Sequence, residues 1–171
     1  VVVVVAVGAA VVDREGDPSA RSSSTAATTS TGGLPAGSPG APGVGDPYFP
    51  GLGNGGYDVD RYDLSLTWHP DDGSLEGVAT VTARATQDLS AFNLDLSGLD
   101  ARAVAVDGSP AAHSRSGDEL VITPAAAIAD GRVFSVVIAY GGIPRPVRQG
   151  TDLFEVGWQT DGREAFVASE P

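Results

Sequence analysis

The chain has 171 residues and carries 22 acidic against 10 basic side chains, a net charge of −12 at neutral pH. Every base is Arg, so no Lys-rich stripe exists to displace counterions, and nucleic acid is excluded as a partner. There is no Cys and no Met, which removes disulfides, thiolate metal sites and Cys nucleophiles together.

Residues 1–12, "VVVVVAVGAAVV", are apolar throughout. They fall short of the about 20 residues that a membrane-spanning helix needs. They read as the remnant of a secretory signal, with a truncated membrane anchor as the alternative. Either origin places the rest outside the cytoplasm, secreted or in the cell envelope. The usage of Ala, Gly, Val and Arg without Lys is that of a GC-rich, bacterial coding sequence. Position 1 is not Met, so the sequence is read as part of a longer one.

Residues 13–45 form a linker. Their stretch "SARSSSTAATTSTGGLPAGSPGAPGVG" buries too little apolar surface to offset its ordering entropy, and disorder is the expectation.

From Asp46 the pattern becomes that of strands, and 46–171 is read as one folded domain. In "GYDVDRYDLSLTW" (56–68), Tyr57 and Val59 share one parity and Tyr62, Leu64, Leu66 and Trp68 the other. Side chains alternate across a strand, so the switch near Asp60–Arg61 predicts a bulge or bend. "HPDDG" (69–73) is a turn. Residues 75–86 then alternate, with Leu75, Ala79, Val81, Ala83 and Ala85 on the apolar side. "AFNLDLSGL" turns Phe92, Leu94 and Leu96 inward. "ARAVAVDGSP" ends at an Asp107-Gly108 turn, and "SGDELVITP" is a further strand. "GRVFSVVIAYGG" is apolar on both parities and predicts a central strand covered on both faces. "DLFEVGWQTDGREAFVASEP" reads as a hairpin around Asp161-Gly162. "PAAAIADG" (124–131) is the one helical candidate, of one or two turns. Together these predict an all-β, antiparallel β-sandwich or saddle of seven or eight strands.

The candidate chemistry is sparse. His69 lies in a turn with Asp71 and Asp72, where ordinary turn chemistry outweighs a Ca²⁺ or Zn²⁺ site. His113 stands alone and reads as a surface residue. There is no HExxH and no GxSxG. "GLGNGG" (51–56) neither follows a strand nor opens a helix, which sets it apart from a dinucleotide loop. Asp58, Asp60 and Asp63, and then Asp95 and Asp100, are candidate carboxylate pairs that read as a solvated face. Trp68, Trp158 and the tyrosines are a candidate sugar platform, although aromatics in a sandwich are more often core.

Taken in order, the strands resemble the N-terminal β-domain of the aminopeptidase N family of zinc metallopeptidases. The resemblance rests on "GNGGYDVDRYDLSLTW", "LEGVATVTARATQDLSAFNLDLSGL", "AVAVDG", "ELVITP" and "FSVVIAYGGIP", and it covers residues 46–171. Arg61 departs from the pattern, where many relatives carry His at a position without a catalytic role. The resemblance implies a saddle-shaped domain packed over a thermolysin-like catalytic domain. That second domain would bear GxMEN and HExxH with a later Glu, and would hold the zinc. None of these motifs occurs here, so the resemblance implies no catalytic and no metal residue in this chain, which would be inactive alone. It does imply a substrate contact. Family members carry a "QFEP"-like segment whose Glu holds the free amino group of the peptide, and Glu170 in "ASEP" matches that Glu. Ala168 stands where the family has Gln, a departure that removes the side-chain amide from that position.

The partners implied are peptide substrates and the catalytic domain of the same protein, with no membrane contact beyond an N-terminal anchor. The rival reading is a non-enzymatic extracellular β-sandwich that binds carbohydrate or a cell-wall partner. An exposed aromatic platform would mark that rival. An uncovered apolar patch on one sheet would mark the peptidase reading.

Overall fold

A computed structural model describes residues 37–45, 47, 53–148, 155–161 and 163–168. In chain order its strands are β1 (Ser38–Pro39), β2 (Tyr57–His69), β3 (Ser74–Ala85), β4 (Leu89–Asp95), β5 (Asp100–Val106) and β6 (Ser109–Pro110). There follow β7 (Ala112–Ser116), β8 (Glu119–Thr123), β9 (Val133–Gly142), β10 (Val147–Arg148), β11 (Glu155–Asp161) and β12 (Glu164–Ala168). Nine of these have five residues or more, against the seven or eight expected. The all-β class stands, and no helix occurs among the described residues.

Three sheets result, ordered β2-β3-β9-β5-β6, β1-β4-β8-β7 and β10-β11-β12. All pairings are antiparallel except β1 on β4.

The parity switch in β2 is resolved by a bulge. Its register against β3 shifts between Val59 and Arg61. Before the shift Tyr57 faces Ala85 and Val59 faces Ala83. After it, Tyr62, Leu64, Leu66 and Trp68 face Val81, Ala79, Gly77 and Leu75. Those partners are the inward set of β3, so the extra residue brings both apolar runs to one face.

The core lies between the two larger sheets. Leu75, Ala79, Val81, Ala83 and Ala85 of β3 are buried, as are Phe92, Leu94 and Leu96, as their alternation predicted. Phe134, Val136, Ile138 and Tyr140 of β9 join them. Tyr57, Phe92 and Phe134 meet edge to face with centroids 5.3–6.2 Å apart, the favoured geometry of opposed ring quadrupoles. The Tyr57 hydroxyl donates to Asn93 O at 2.6 Å, and burial pushes its pKa well above the ordinary phenol value.

The turn at Asp107-Gly108 has φ of 49° and 77°. Positive φ at both central residues is the hairpin geometry that Asp-Gly favours.

Three readings are corrected, and one strand, β7, had none. Strand β9 is central but covered on one face only, since Val133 and Val137 are exposed on the other. Its second apolar parity came from small β-branched residues that tolerate water. Residues 124–131 form no helix; Ile128 instead bridges to Leu89. Strand β7 carries five exposed residues, AHSRS, and gave no apolar period to read. Finally, the end of the predicted linker is seated on the domain. Ser38 and Pro39 pair in parallel with Leu89 and Ala91 of β4.

Candidate functional site

The turn at His69 is held by its own backbone. Gly73 N donates to His69 O at 2.9 Å, and Ser74 N to Asp72 Oδ1 at 2.9 Å. Ser74, through its side chain first and then this backbone N–H, draws the Asp72 carboxyl below its ordinary pKa. Asp71 instead meets Arg163 at 2.7 Å, an exposed pair of the kind worth little. Among the described residues no three His, Cys, Asp or Glu side chains lie close enough to hold a metal ion. His113 sits exposed on β7. Asp58, Asp60 and Asp63 are exposed on β2, where the bulge intervenes and Arg61 bonds Asp63. They are a solvated face.

Asp95 and Asp100 are not brought together. Asp100 lies opposite Gly141, whereas Asp95 lies directly opposite Glu119. The Asn54 side chain adjoins both carboxyls, and Asn54 Oδ1 and Glu119 Oε2 are buried without a partner. Burial first, then the Asp95 charge, pushes Glu119 up to about 7. Burial likewise raises Asp95. Glu119 and Asn54 carried no signal in the sequence, because their meeting depends on the pairing of β4 with β8.

The aromatics pack against one another. Trp68 and Trp158 meet at 5.4 Å, tilted by 54°, and Trp158 is buried. Among the described aromatics Phe166 alone is exposed, which leaves no row of rings to stack on a sugar.

The most informative surface is apolar. Leu64 and Leu66 carry the same parity as the buried core residues, yet they are 49% and 45% exposed. Strand β4 covers the start of β2, with the Tyr57 ring 5.7 Å from Phe92, and reaches Tyr62 with Asp95. Leu64 and Leu66 lie beyond it. Inward of Leu64 a narrow crevice opens between Ala79, Val81, Ile138 and Tyr140 on one sheet and Leu94, Leu96 and Leu120 on the other. The Tyr140 hydroxyl is buried there without a partner, and desolvation pushes its pKa up to about 12. Large apolar side chains left bare on an inward-facing strand are the mark of an interface.

Glu170, the predicted substrate contact, lies outside the described residues. So does the 1–12 segment. No helix among the described residues is long and apolar enough to cross a membrane.

This fold defines an all-β, multi-sheet domain whose apolar face is incompletely covered and which brings no catalytic constellation together among the described residues. Known structures place it further. The M1 zinc metallopeptidase of Deinococcus radiodurans is similar at 30% identity and a TM-score of 0.68, covering 75% of this chain and 30% of its own. A variant of that enzyme bound to a Tyr-Ser-Ala substrate matches at 31% identity, a TM-score of 0.68 and the same shares of the two chains. A two-domain M1 zinc metallopeptidase variant bound to L-tryptophan matches at 30% identity, again at 0.68 with the same shares. This chain thus spans under a third of the length of these enzymes. No family model and no curated protein matches it. The likeness to the aminopeptidase N family read from the strand motifs is therefore shown by the fold, and it lies with the β-domain part of such enzymes.

Proposed function

We propose that this chain is the non-catalytic β-domain of an exported zinc metallo-aminopeptidase, which removes N-terminal residues from peptides. The carrying observation is the likeness across 75% of this chain to M1 zinc metallopeptidases at 30–31% identity. The bare Leu64–Leu66 strip supports the reading, because it is a surface on which a catalytic domain would sit. The described residues do not fit a zinc ion, so the metal and the hydrolytic step belong to residues outside them.

In this reading the domain covers the active site, and Glu170 contributes to recognition of the substrate amino terminus. A carboxylate opposite an ammonium in a closed site gives both affinity and a ruler for the chain end. The test is to read the gene beyond codon 171 and assay the longest product on aminoacyl anilides. An in-frame HExxH, chelator-sensitive release of the N-terminal residue, and a raised KM in Glu170→Ala are the expected results. An unrelated continuation, with binding of polysaccharide in place of hydrolysis, would establish the carbohydrate-binding rival.

A further inference from the structure

Strand β2 forms one edge of the largest sheet, whose order is β2-β3-β9-β5-β6. One side of it pairs with β3 from Tyr57 to His69, and among the described residues no strand pairs with the other side. The far edge of the same sheet is closed in the usual way. There β6 is two residues long and includes Pro110, which has no N–H to offer a further strand. Strand β2 is instead 13 residues long. Its protection lies in its first half, where Asp58 and Asp60 carry charge and the bulge between Val59 and Arg61 breaks the ladder. From Arg61 to His69 the register runs without a break. Within that run Leu64 to Trp68 carries no charge. Every residue from Asp63 to Thr67 is exposed, so both faces of the strand are bare there.

This run is complementary to itself. Arg61–His69 has its centre at Ser65. Laid antiparallel along its full length against a second copy, it sets Ser65 opposite the partner's Ser65 and Leu64 opposite the partner's Leu66. Tyr62 then meets the partner's Trp68, and Asp63 the partner's Thr67. Directly opposed residues share a face. The inward face therefore matches aromatic with aromatic and Leu with Leu, while the outward face matches small polar groups. No like charges are opposed. Asp63 is the one carboxylate of the run, and Arg61 of its own strand bonds it. Other registers are poorer. A centre at Asp63 sets that carboxylate against itself, a centre at Leu64 draws the bulged Asp60 into the pairing, and a centre nearer His69 shortens the ladder.

We propose that the free edge of β2 is a dimerisation site, through which two copies of this chain pair antiparallel over Arg61–His69 with the two-fold axis at Ser65. The two largest sheets then join into one. Such an interface is isologous and closes at two copies. Pairing satisfies the N–H and C=O groups that the edge presents. Leu64 beside the partner's Leu66 takes part of the exposed apolar surface out of water. The pairing uses the edge of the strand, whereas the peptidase reading uses its inward face, so the inference does not depend on that reading.

The test is sedimentation of the 171-residue chain in about 0.15 M salt, which screens the repulsion between two copies of net charge −12 beyond about 8 Å. A monomer–dimer equilibrium that stops at two copies is expected. Ser65→Asp sets two carboxylates against each other across the axis and is expected to weaken the dimer roughly fivefold or more. Its fold should be untouched, because Ser65 is exposed. Mixing Ser65→Asp with Ser65→Lys should restore association, since the opposed charges then attract. The chain has no Cys, so one introduced thiol reports the register. Ser65→Cys should link to its own copy on mild oxidation. Thr67→Cys should not, because its copy lies four positions further along the strand, roughly 13 Å away. Five results would each overturn the proposal: a chain that stays monomeric, growth past two copies, a Ser65→Asp dimer as tight as the natural one, a mixture no tighter than Ser65→Asp alone, or equal linking through both thiols.

Discussion

The ring of Tyr140 lies against the backbone of Gly77, its cross-strand neighbour on the inward face. A Cβ at position 77 would sit 2.3 Å from Tyr140 Cζ, closer than any real contact. Tyr140 is 1% exposed, and its ring can yield only toward the narrow crevice that it lines. Gly77→Ala is therefore expected to destabilise the domain by about 1–3 kcal/mol, the usual cost of overpacking. Urea denaturation followed by tryptophan fluorescence reads this directly. An unchanged midpoint would mean that the ring swings freely.

Asp107 does three things at once. It takes a positive φ of 49° in the β5–β6 turn, accepts Ser135 N on Oδ1 at 2.9 Å and pairs with Arg132 through Oδ2 at 2.7 Å. Asp107→Gly keeps the turn and loses both contacts, whereas Asp107→Val also forces a β-branched residue into positive φ. The expected order of melting temperature is natural chain, then Gly, then Val, with the first step worth about 1 kcal/mol. Thermal denaturation by circular dichroism ranks them.

Stability should fall as pH rises from about 4.5 to about 7. Glu119 goes from an ordinary 4.5 to about 7 on folding. Between those values the folded chain holds a proton that the unfolded chain has released, so raising the pH drives unfolding. Below 4.5 the contribution is fully present, and above about 7 it is gone. Asp72 and Glu76 are held below their ordinary values by Ser74 and Arg102. They act with the opposite sign, losing stability only as the pH falls below the Glu119 window. Urea midpoints across this range should slope downward in the natural chain and flatten in Glu119→Gln.

Leu64 and Leu66 should govern association and leave folding alone. Both are about half exposed, so Leu64→Ser with Leu66→Ser is expected to shift stability by only about 0.5 kcal/mol per site. The same double substitution should reduce self-association at high concentration, read by light scattering. A large loss of stability would show that the strip is core and not interface.

The sequence alone determined the β class, the inward set of β3, the bulge near Asp60–Arg61 and the Asp107-Gly108 turn. Each of these is written in local terms: period 2, a break in parity, or a dipeptide that tolerates positive φ. The strand motifs also carried the likeness to zinc aminopeptidases. Other features needed the tertiary structure, because they depend on residues far apart in the chain. Nothing local marks Glu119 as the partner of Asp95, since pairing of β4 with β8 places them opposite. Leu64 and Leu66 read as core by parity, and only the limited reach of β4 decides that they stay bare. The glycines near Ser38 read as linker flexibility, yet Gly37 and Gly40 serve close approach to Asp88 and Gly55. Flexibility and tight contact favour the same residue, and only the neighbouring backbone distinguishes them.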